Sequence, residues 1–348
     1  MCKLLITFVS VLGAFALASP GAKAEALARK DRPTVLQVCL SNEAISPVTA
    51  RYIQRAIEQA EQERADCLII ILDTPGGLVD STRDIVKATL RSKVPVVVYV
   101  APPGARAASA GVFITLAAHV AAMAPGTNIG AAHPVQIGGL PGSPPPKEGK
   151  EKGQEPGAKT PMEEKIVNDT VAWARSLAEL RGRNADWAAR AVKESLSAPA
   201  SEALKEGAVD LVADDLNDLL ARLDGREVTL PDGVMRLRTA GAEVRTLEMW
   251  WGERILAVLT NPNVAFLLLI FGFYGILFEL YTPGWGVAGT LGVVCLLLGF
   301  FALAVLPISY VGLALLAVAL ALFVAEVFVG FMKRRTGSPS SACRIKTC

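Results

Sequence analysis

The chain has 348 residues, enough for more than one domain, and its 35 basic and 33 acidic side chains leave a net charge of only +2. That balance gives no electrostatic case for a nucleic-acid partner, and two histidines with six scattered cysteines, none in a C-x-x-C pair, exclude the usual zinc and iron–sulfur spacings. With 52% hydrophobic residues and a mean hydropathy of +0.40 the chain is too apolar for an ordinary soluble protein, which points to a membrane part.

Met1–Ala24 carries Lys3, an apolar run from Leu4 to Ala18, and A-K-A at 22–24, the order of a secretory signal peptide. Cleavage after Ala24 is expected, with an uncleaved anchor as the alternative; export puts the following segment outside the cytoplasm. Thr34–Leu40 reads as a short strand, and Pro47–Arg64 as a helix with Val48, Tyr52, Ile53, Ile57 and Ala60 at helical spacing. Cys67–Leu72 (C-L-I-I-I-L) is the continuous apolar run of a strand buried on both faces, and Asp73-Thr74-Pro75-Gly76-Gly77 breaks it. A second amphipathic helix carries Leu78, Thr82, Ile85, Val86 and Leu90 on one side. The strand Val96–Val100 follows, then a helix beginning near Ser109. Strands alternating with helices imply a mainly parallel α/β sheet with right-handed crossovers.

Gly138–Pro161 collapses into Gly, Pro, Lys and Glu and reads as a disordered insertion that cannot join a core. Met162–Leu180 resumes as a helix, Ala200–Glu206 as a short one closed by Gly207, Val209–Ala213 as a strand and Asp215–Leu223 as a helix. Residues 225–245 read as a small β-type extension that ends an exported domain spanning 25–245. Trp250 and Trp251 introduce a membrane region over 246–332, as interfacial aromatics do. Its apolar runs Val264–Tyr281, Val287–Leu306 and Ile308–Met332 each approach the length that crosses a core of roughly 30 Å. Lys333-Arg334-Arg335 favours the cytoplasmic side, which leaves Glu25–Asn263 outside. Glu279 and Glu326 fall inside these runs, where a carboxylate is either interfacial or functional.

The chemistry centres on Pro95–Gly111 (P-V-V-V-Y-V-A-P-P-G-A-R-A-A-S-A-G), where a strand and turn present Ser109 at a helix start. Unpaired N–H groups at a helix N-terminus can stabilise an oxyanion beside such a hydroxyl, although small residues around a serine also suit close helix packing. Neither His119 nor His133 makes a convincing base: the first lies ten residues along the same helix, the second in a Gly-Ala-Ala turn. The alternative base is a lysine, which must fall about 3 units from its usual ~10.4 to be neutral near pH 7–8. Lys165, beside Met162 and Ile166 at the edge of an apolar helix face, is the candidate; a plain surface lysine paired with Asp169 at i+4 is the competing reading. Gly76 and Gly77 are the candidate oxyanion turn, or else a simple turn and helix start. Both this turn and Ser109 follow strand C-termini, the edge at which open α/β sheets bind ligands. Whether Cys39 and Cys67 pair is a question of geometry.

Leu72–Gly77 (L-D-T-P-G-G), Ala107–Gly111 (A-A-S-A-G), Ala124–Val135 (A-P-G-T-N-I-G-A-A-H-P-V), Glu164-Lys165-Ile166 and E-L-Y-T-P-G-W-G at 279–286 together resemble the NfeD-type membrane-bound serine proteases. The resemblance covers most of Val35–Val329. It implies a ClpP/crotonase-like fold of repeated β-β-α units, followed by an α-helical transmembrane region. It further implies a Ser109–Lys165 dyad with Gly76–Gly77 as oxyanion site, no cofactor and no metal, and cleavage of apolar segments in stomatin-like membrane partners. A homo-oligomer in contact with membrane lipid is expected, and a non-proteolytic scaffold for stomatin-like partners is the alternative. Lys333–Cys348 departs from the further span and small β-barrel of long members, as a truncated or frame-shifted reading frame would.

Overall fold

The structure is a computed structural model that describes residues 32–134, 161–259, 261–281, 286–305 and 318. The expected signal peptide, nearly all of the 138–161 insertion, the third apolar run apart from Val318, and the 333–348 tail lie outside these residues. The described residues fall into two units, one comprising 32–134 with 161–250 and the other beginning at Trp251.

The first unit starts with β1 (Thr34–Leu40), α1 (Pro47–Glu63), β2 (Cys67–Leu72), α2 (Val79–Arg91), β3 (Val96–Val100), β4 (Arg106–Ala108) and α3 (Ala110–Ala117). It continues through β5 (Val120–Met123), β6 (Asn128–Gly130), α4 (Pro161–Leu180), α5 (Ala185–Lys193), β7 (Ser197–Pro199), α6 (Ala200–Lys205), β8 (Leu211–Val212) and α7 (Leu216–Leu223). A hairpin of β9 (Glu227–Leu230) and β10 (Gly233–Arg236) precedes the last strand, β11 (Glu243–Thr246). The main sheet runs β11-β1-β2-β3-β5-β8, every pairing parallel, so this is the expected parallel α/β domain.

The apolar runs explain the layering. Alternate residues of a strand face opposite sides. Leu68, Ile70, Val96 and Val98 join one core with residues of α1 to α5, while Cys67, Ile69, Val97 and Tyr99 join another with α7 and the β9–β10 hairpin. A sheet covered on both faces needs uninterrupted apolar strands, and β2 and β3 supply them. In the β1–β2 register Cys39 pairs with Ile71 and Cys67 with Val35. Four residues of strand offset the two Cα atoms by about 13 Å, well beyond the roughly 7 Å limit between bridged Cα atoms; both thiols are free.

Leu72 and Val100, the last residues of β2 and β3, are direct partners. The segments leaving them therefore emerge side by side at one edge. There a small sheet forms, β4 parallel to β6 and β6 antiparallel to β7, and it delivers the chain into α3.

The second unit contains α8 (Trp251–Leu259), α9 (Pro262–Tyr281) and α10 (Val287–Val305). Within α9, Asn263–Tyr281 is long and apolar enough to cross a membrane, with a mean hydropathy of 2.1; Val287–Leu303 is a shorter apolar stretch. The two helices approach so closely that a Cβ on Gly292 would lie 2.9 Å from the Gly272 carbonyl oxygen, the small-residue contact typical of membrane helices. Glu279, which sequence alone leaves open, turns its carboxylate onto the start of α10, accepting from the Gly286 N–H at 3.1 Å and the Gly289 N–H at 3.3 Å.

Candidate active site

Ser109 joins β4 to α3 with φ +50° and ψ −108°, outside the regions comfortable for a residue with a Cβ. Such a conformation costs about 1–3 kcal/mol and persists only where the surroundings impose it. Here the Ser109 N–H donates to the Gly130 carbonyl at 3.1 Å, and its own carbonyl accepts from Val112 N–H at 3.1 Å. The hydroxyl does not cap the helix. It is left half-exposed at the N-terminus of α3, whose first amide, that of Ala110, has no acceptor one turn earlier in the helix.

Behind the serine, α3 is buried along its whole length, and its C-terminal carbonyls are gathered by two arginines. Arg183 Nη1 donates to the carbonyls of Thr115, Leu116 and Ala118 at 3.3, 2.7 and 3.1 Å, and Arg181 Nε donates to Ala117 O at 2.9 Å. The Arg183 side chain is 1% exposed and pairs with Asp210 through Nε–Oδ1 at 3.2 Å and Nη2–Oδ2 at 2.6 Å. Cations here also complement the negative end of the helix dipole.

The Gly76–Gly77 turn lies against Ser109. Gly76 has φ +123°, and a Cβ on it would sit 2.7 Å from Ser109 Cβ and 3.1 Å from Oγ. At Gly77 a Cβ would fall 2.1 Å from the Ile45 carbonyl oxygen. The two amides differ. Gly76 N–H donates to Thr74 Oγ1 at 3.1 Å. Gly77 is bracketed by Ile45, whose N–H donates to Gly76 O at 2.8 Å and whose carbonyl accepts from Leu78 N–H at 2.8 Å. In a parallel bridge of that kind the central residue turns its own amide away from the partner strand. The Gly77 N–H donates to nothing among the described residues.

Gly77, Ser109 and Ala110 line one small pocket of about 30 Å³ together with Val79, Phe113 and Trp173. Its wall is a stack. Phe113 and Trp173 lie face to face with centroids 4.3 Å apart, and the Arg83 guanidinium covers the Trp173 ring at 4.4 Å. Arg83 also pairs with Asp169 at 2.9 Å, tying α2 to α4.

Lys165, the fifth residue of α4, is exposed and does not line the pocket. Ser109 and Lys165 make no hydrogen bond in this structure. The competing surface pair does not form either, since Asp169 is held by Arg83. Lys165, Asp169 and Trp173 recur at intervals of four on α4, so they share one side of the helix. His133 Nδ1 bonds the Val192 carbonyl at 3.0 Å. His119 stands at the opposite end of α3 from Ser109, where Nδ1 accepts from Val96 N–H at 3.1 Å. Burial, reinforced by Arg181 and Arg183, pushes its pKa down to about 3. The Arg183–Asp210 clamp, the Ala110 amide and the Arg83–Trp173–Phe113 stack escape a reading by sequence motif. Ala110 could have been found as the residue that follows a helix-start serine.

Comparison with known proteins bears on this arrangement. Residues 34–144 match the NfeD1b N-terminal domain and residues 263–333 the NfeD integral membrane domain. The membrane-bound protease PH1510 of Pyrococcus horikoshii is 37% identical over 288 residues, covering 81% of this chain and 61% of that protein. Membrane protein NfeD1b of Bacillus subtilis is 28% identical over 292 residues, 84% of this chain and again 61% of its own length. The chain thus spans about three fifths of the curated relatives it matches. Among solved structures, a lysine-to-alanine mutant of the 1510-N membrane-bound stomatin-specific protease, in complex with a substrate peptide, superposes with a TM-score of 0.56 at 36% identity. The match covers 65% of this chain and 97% of that one. A serine-to-alanine mutant of the same protease gives a TM-score of 0.54 at 37% identity, covering 63% and 99%. The two matched domains, the shared parallel-sheet unit and this level of identity establish that the chain belongs to the NfeD family of membrane proteins.

Proposed function

We propose that the chain is a membrane-anchored serine endopeptidase acting on apolar segments of membrane proteins, stomatin-like partners among them. The observation that carries this reading is Ser109. It is held at positive φ at a helix start, with its hydroxyl unused for capping and a glycine turn against it. Ser109 attacks the peptide carbonyl while Lys165, as neutral amine, takes its proton and later gives it to the leaving nitrogen; water then releases the acyl-enzyme. The oxyanion is held by the Gly77 and Ala110 amides, with Gly76 contributing the Cβ-free space in which the tetrahedral centre forms. Lys165 is supported by its position on the helix that also carries Trp173 to the pocket, and by the lysine-to-alanine relative that retains a substrate peptide. An apolar substrate lying over the N-terminal part of α4 would exclude water from that side chain, and a dry site is what a lysine base requires.

The apolar lining of Val79, Phe113 and Trp173 suits apolar substrate side chains. A signal sequence over 1–24, several spans and the basic Lys333-Arg334-Arg335 argue for a protease unit on the extracytoplasmic side. The test is cleavage of an apolar peptide by the full chain in detergent. Ser109→Ala and Lys165→Ala each abolish turnover while leaving thermal unfolding unchanged; full activity in either removes that residue from the mechanism.

A further inference from the structure

We infer that Thr74 is a positioning residue for catalysis, a side chain that fixes the oxyanion turn relative to the serine helix, beside Asp73, whose carboxylate accepts from the Arg106 N–H of β4 at 3.1 Å. The inference rests on the Ser109 reading above. Thr74 follows β2 in the L-D-T-P-G-G stretch and is 0% exposed. Its hydroxyl donates to the Glu43 carbonyl at 2.7 Å, with the Gly76 carbonyl a longer acceptor at 3.2 Å, and accepts from Gly76 N–H at 3.1 Å. One oxygen therefore ties the turn back to the chain ahead of α1 and also occupies the Gly76 amide. With that amide occupied, the following residue, Gly77, is the one whose N–H is left for an oxyanion.

The backbone of Thr74 is bound to the nucleophile's own strand. Its N–H donates to Arg106 O at 2.8 Å, and its carbonyl accepts from Ala108 N–H at 3.1 Å, the residue immediately before Ser109. The methyl faces α3: a Cβ added to Gly111 would come within 2.9 Å of Thr74 Cγ2 and 3.2 Å of Ala107 Cβ. The hydroxyl thus sets the turn, the main chain sets β4, and the methyl bears on the second residue of the serine helix. A residue with one hydroxyl and one methyl on a stiff β-branched stem meets all three demands. Serine lacks the methyl and valine lacks the hydroxyl, so the two substitutions separate the functions.

Displacing an oxyanion donor acts on the transition state and not on ground-state binding, so the effect falls on kcat. Full-length wild type, Thr74→Ser and Thr74→Val are compared in detergent for hydrolysis of one apolar peptide and for labelling of Ser109 by a fluorophosphonate, with thermal unfolding recorded for each. Thr74→Val is expected to lose about 10- to 100-fold in kcat with KM changed less than about twofold, and to label correspondingly slowly. Thr74→Ser, which restores the hydroxyl, is expected to recover most of kcat. Equal kcat in Thr74→Val and wild type, a loss confined to KM, or Thr74→Ser as impaired as Thr74→Val would each overturn the inference. Absence of Ser109 labelling in wild type would instead overturn the Ser109 reading and this inference with it, which keeps the two failures apart.

Discussion

Arg183→Met is the sharpest test of how the serine helix is held. The substitution keeps an unbranched stem of similar reach, but removes a guanidinium that is 1% exposed and makes five hydrogen bonds, three to carbonyls at the end of α3 and two to Asp210. It leaves a carboxylate at 17% exposure whose remaining bond is from the Ala121 N–H at 2.7 Å. Removing one partner of a buried pair destabilises by about 3–5 kcal/mol. For a unit of this size each kcal/mol lowers Tm by roughly 2–4 °C, so a fall of about 6–20 °C is expected. The assay is thermal unfolding of the full chain in detergent by near-ultraviolet circular dichroism. Asp210→Leu alone is also destabilising, because it strands the arginine. The double variant Arg183→Met with Asp210→Leu recovers much of the loss, since neither charge is then buried alone. A single-variant fall under about 2 °C, or strictly additive losses in the double variant, would refute the clamp as the support of α3.

Two further outcomes follow from the same geometry. Gly76→Ala puts a methyl into the space beside Ser109 Oγ at a φ of +123°, so peptide hydrolysis is expected to fall by at least about 100-fold; near-normal turnover would show that the turn does not border the reacting atoms. His119 is held neutral by burial, with a folded pKa of about 3 against the ordinary 6.5. A depressed folded pKa means that the unfolded chain takes up the proton first. The stabilisation from neutral His119 is therefore complete above pH 6.5 and is lost as pH falls toward 3, at up to about 1.4 kcal/mol per pH unit. His119→Asn keeps an acceptor for Val96 N–H and should flatten the decline in stability between pH 6.5 and 3; an unaltered slope would remove His119 as its source.

What could be read in advance follows from how local each feature is. β1, β2 and β3 are β-branched runs closed by turn residues, and the expected boundaries Thr34–Leu40, Cys67–Leu72 and Val96–Val100 are those observed. β4, β6 and β7 have three residues each and carry no period; they exist because distant segments pair with them. β5, V-A-A-M, follows α3 after only Ala118 and His119, so its apolar residues merge with the helix before it. α5 had a usable signal in Asn184, whose side chain accepts from Asp186 and Trp187 N–H groups. Ser109 and the glycine turn stand out because each follows a strand at the same edge. The Gly76 amide is taken by one hydroxyl, Thr74 Oγ1, and the Gly77 amide is left over by the bridge to Ile45; no count of glycines reveals either.

The clamp on α3 has a bearing on when the site comes into being. Arg183 lies 65 to 68 residues beyond the carbonyls it gathers, and its partner Asp210 is a further 27 residues along. During synthesis the segment holding Ser109 emerges well before the groups that brace its far end. A chain halted midway carries Ser109 on an unbraced helix, with the edge of the sheet still open beside β5 until β8 arrives. The bracing of the Ser109 helix thus waits on completion of the whole α/β unit, so the geometry around the serine is a late product of folding.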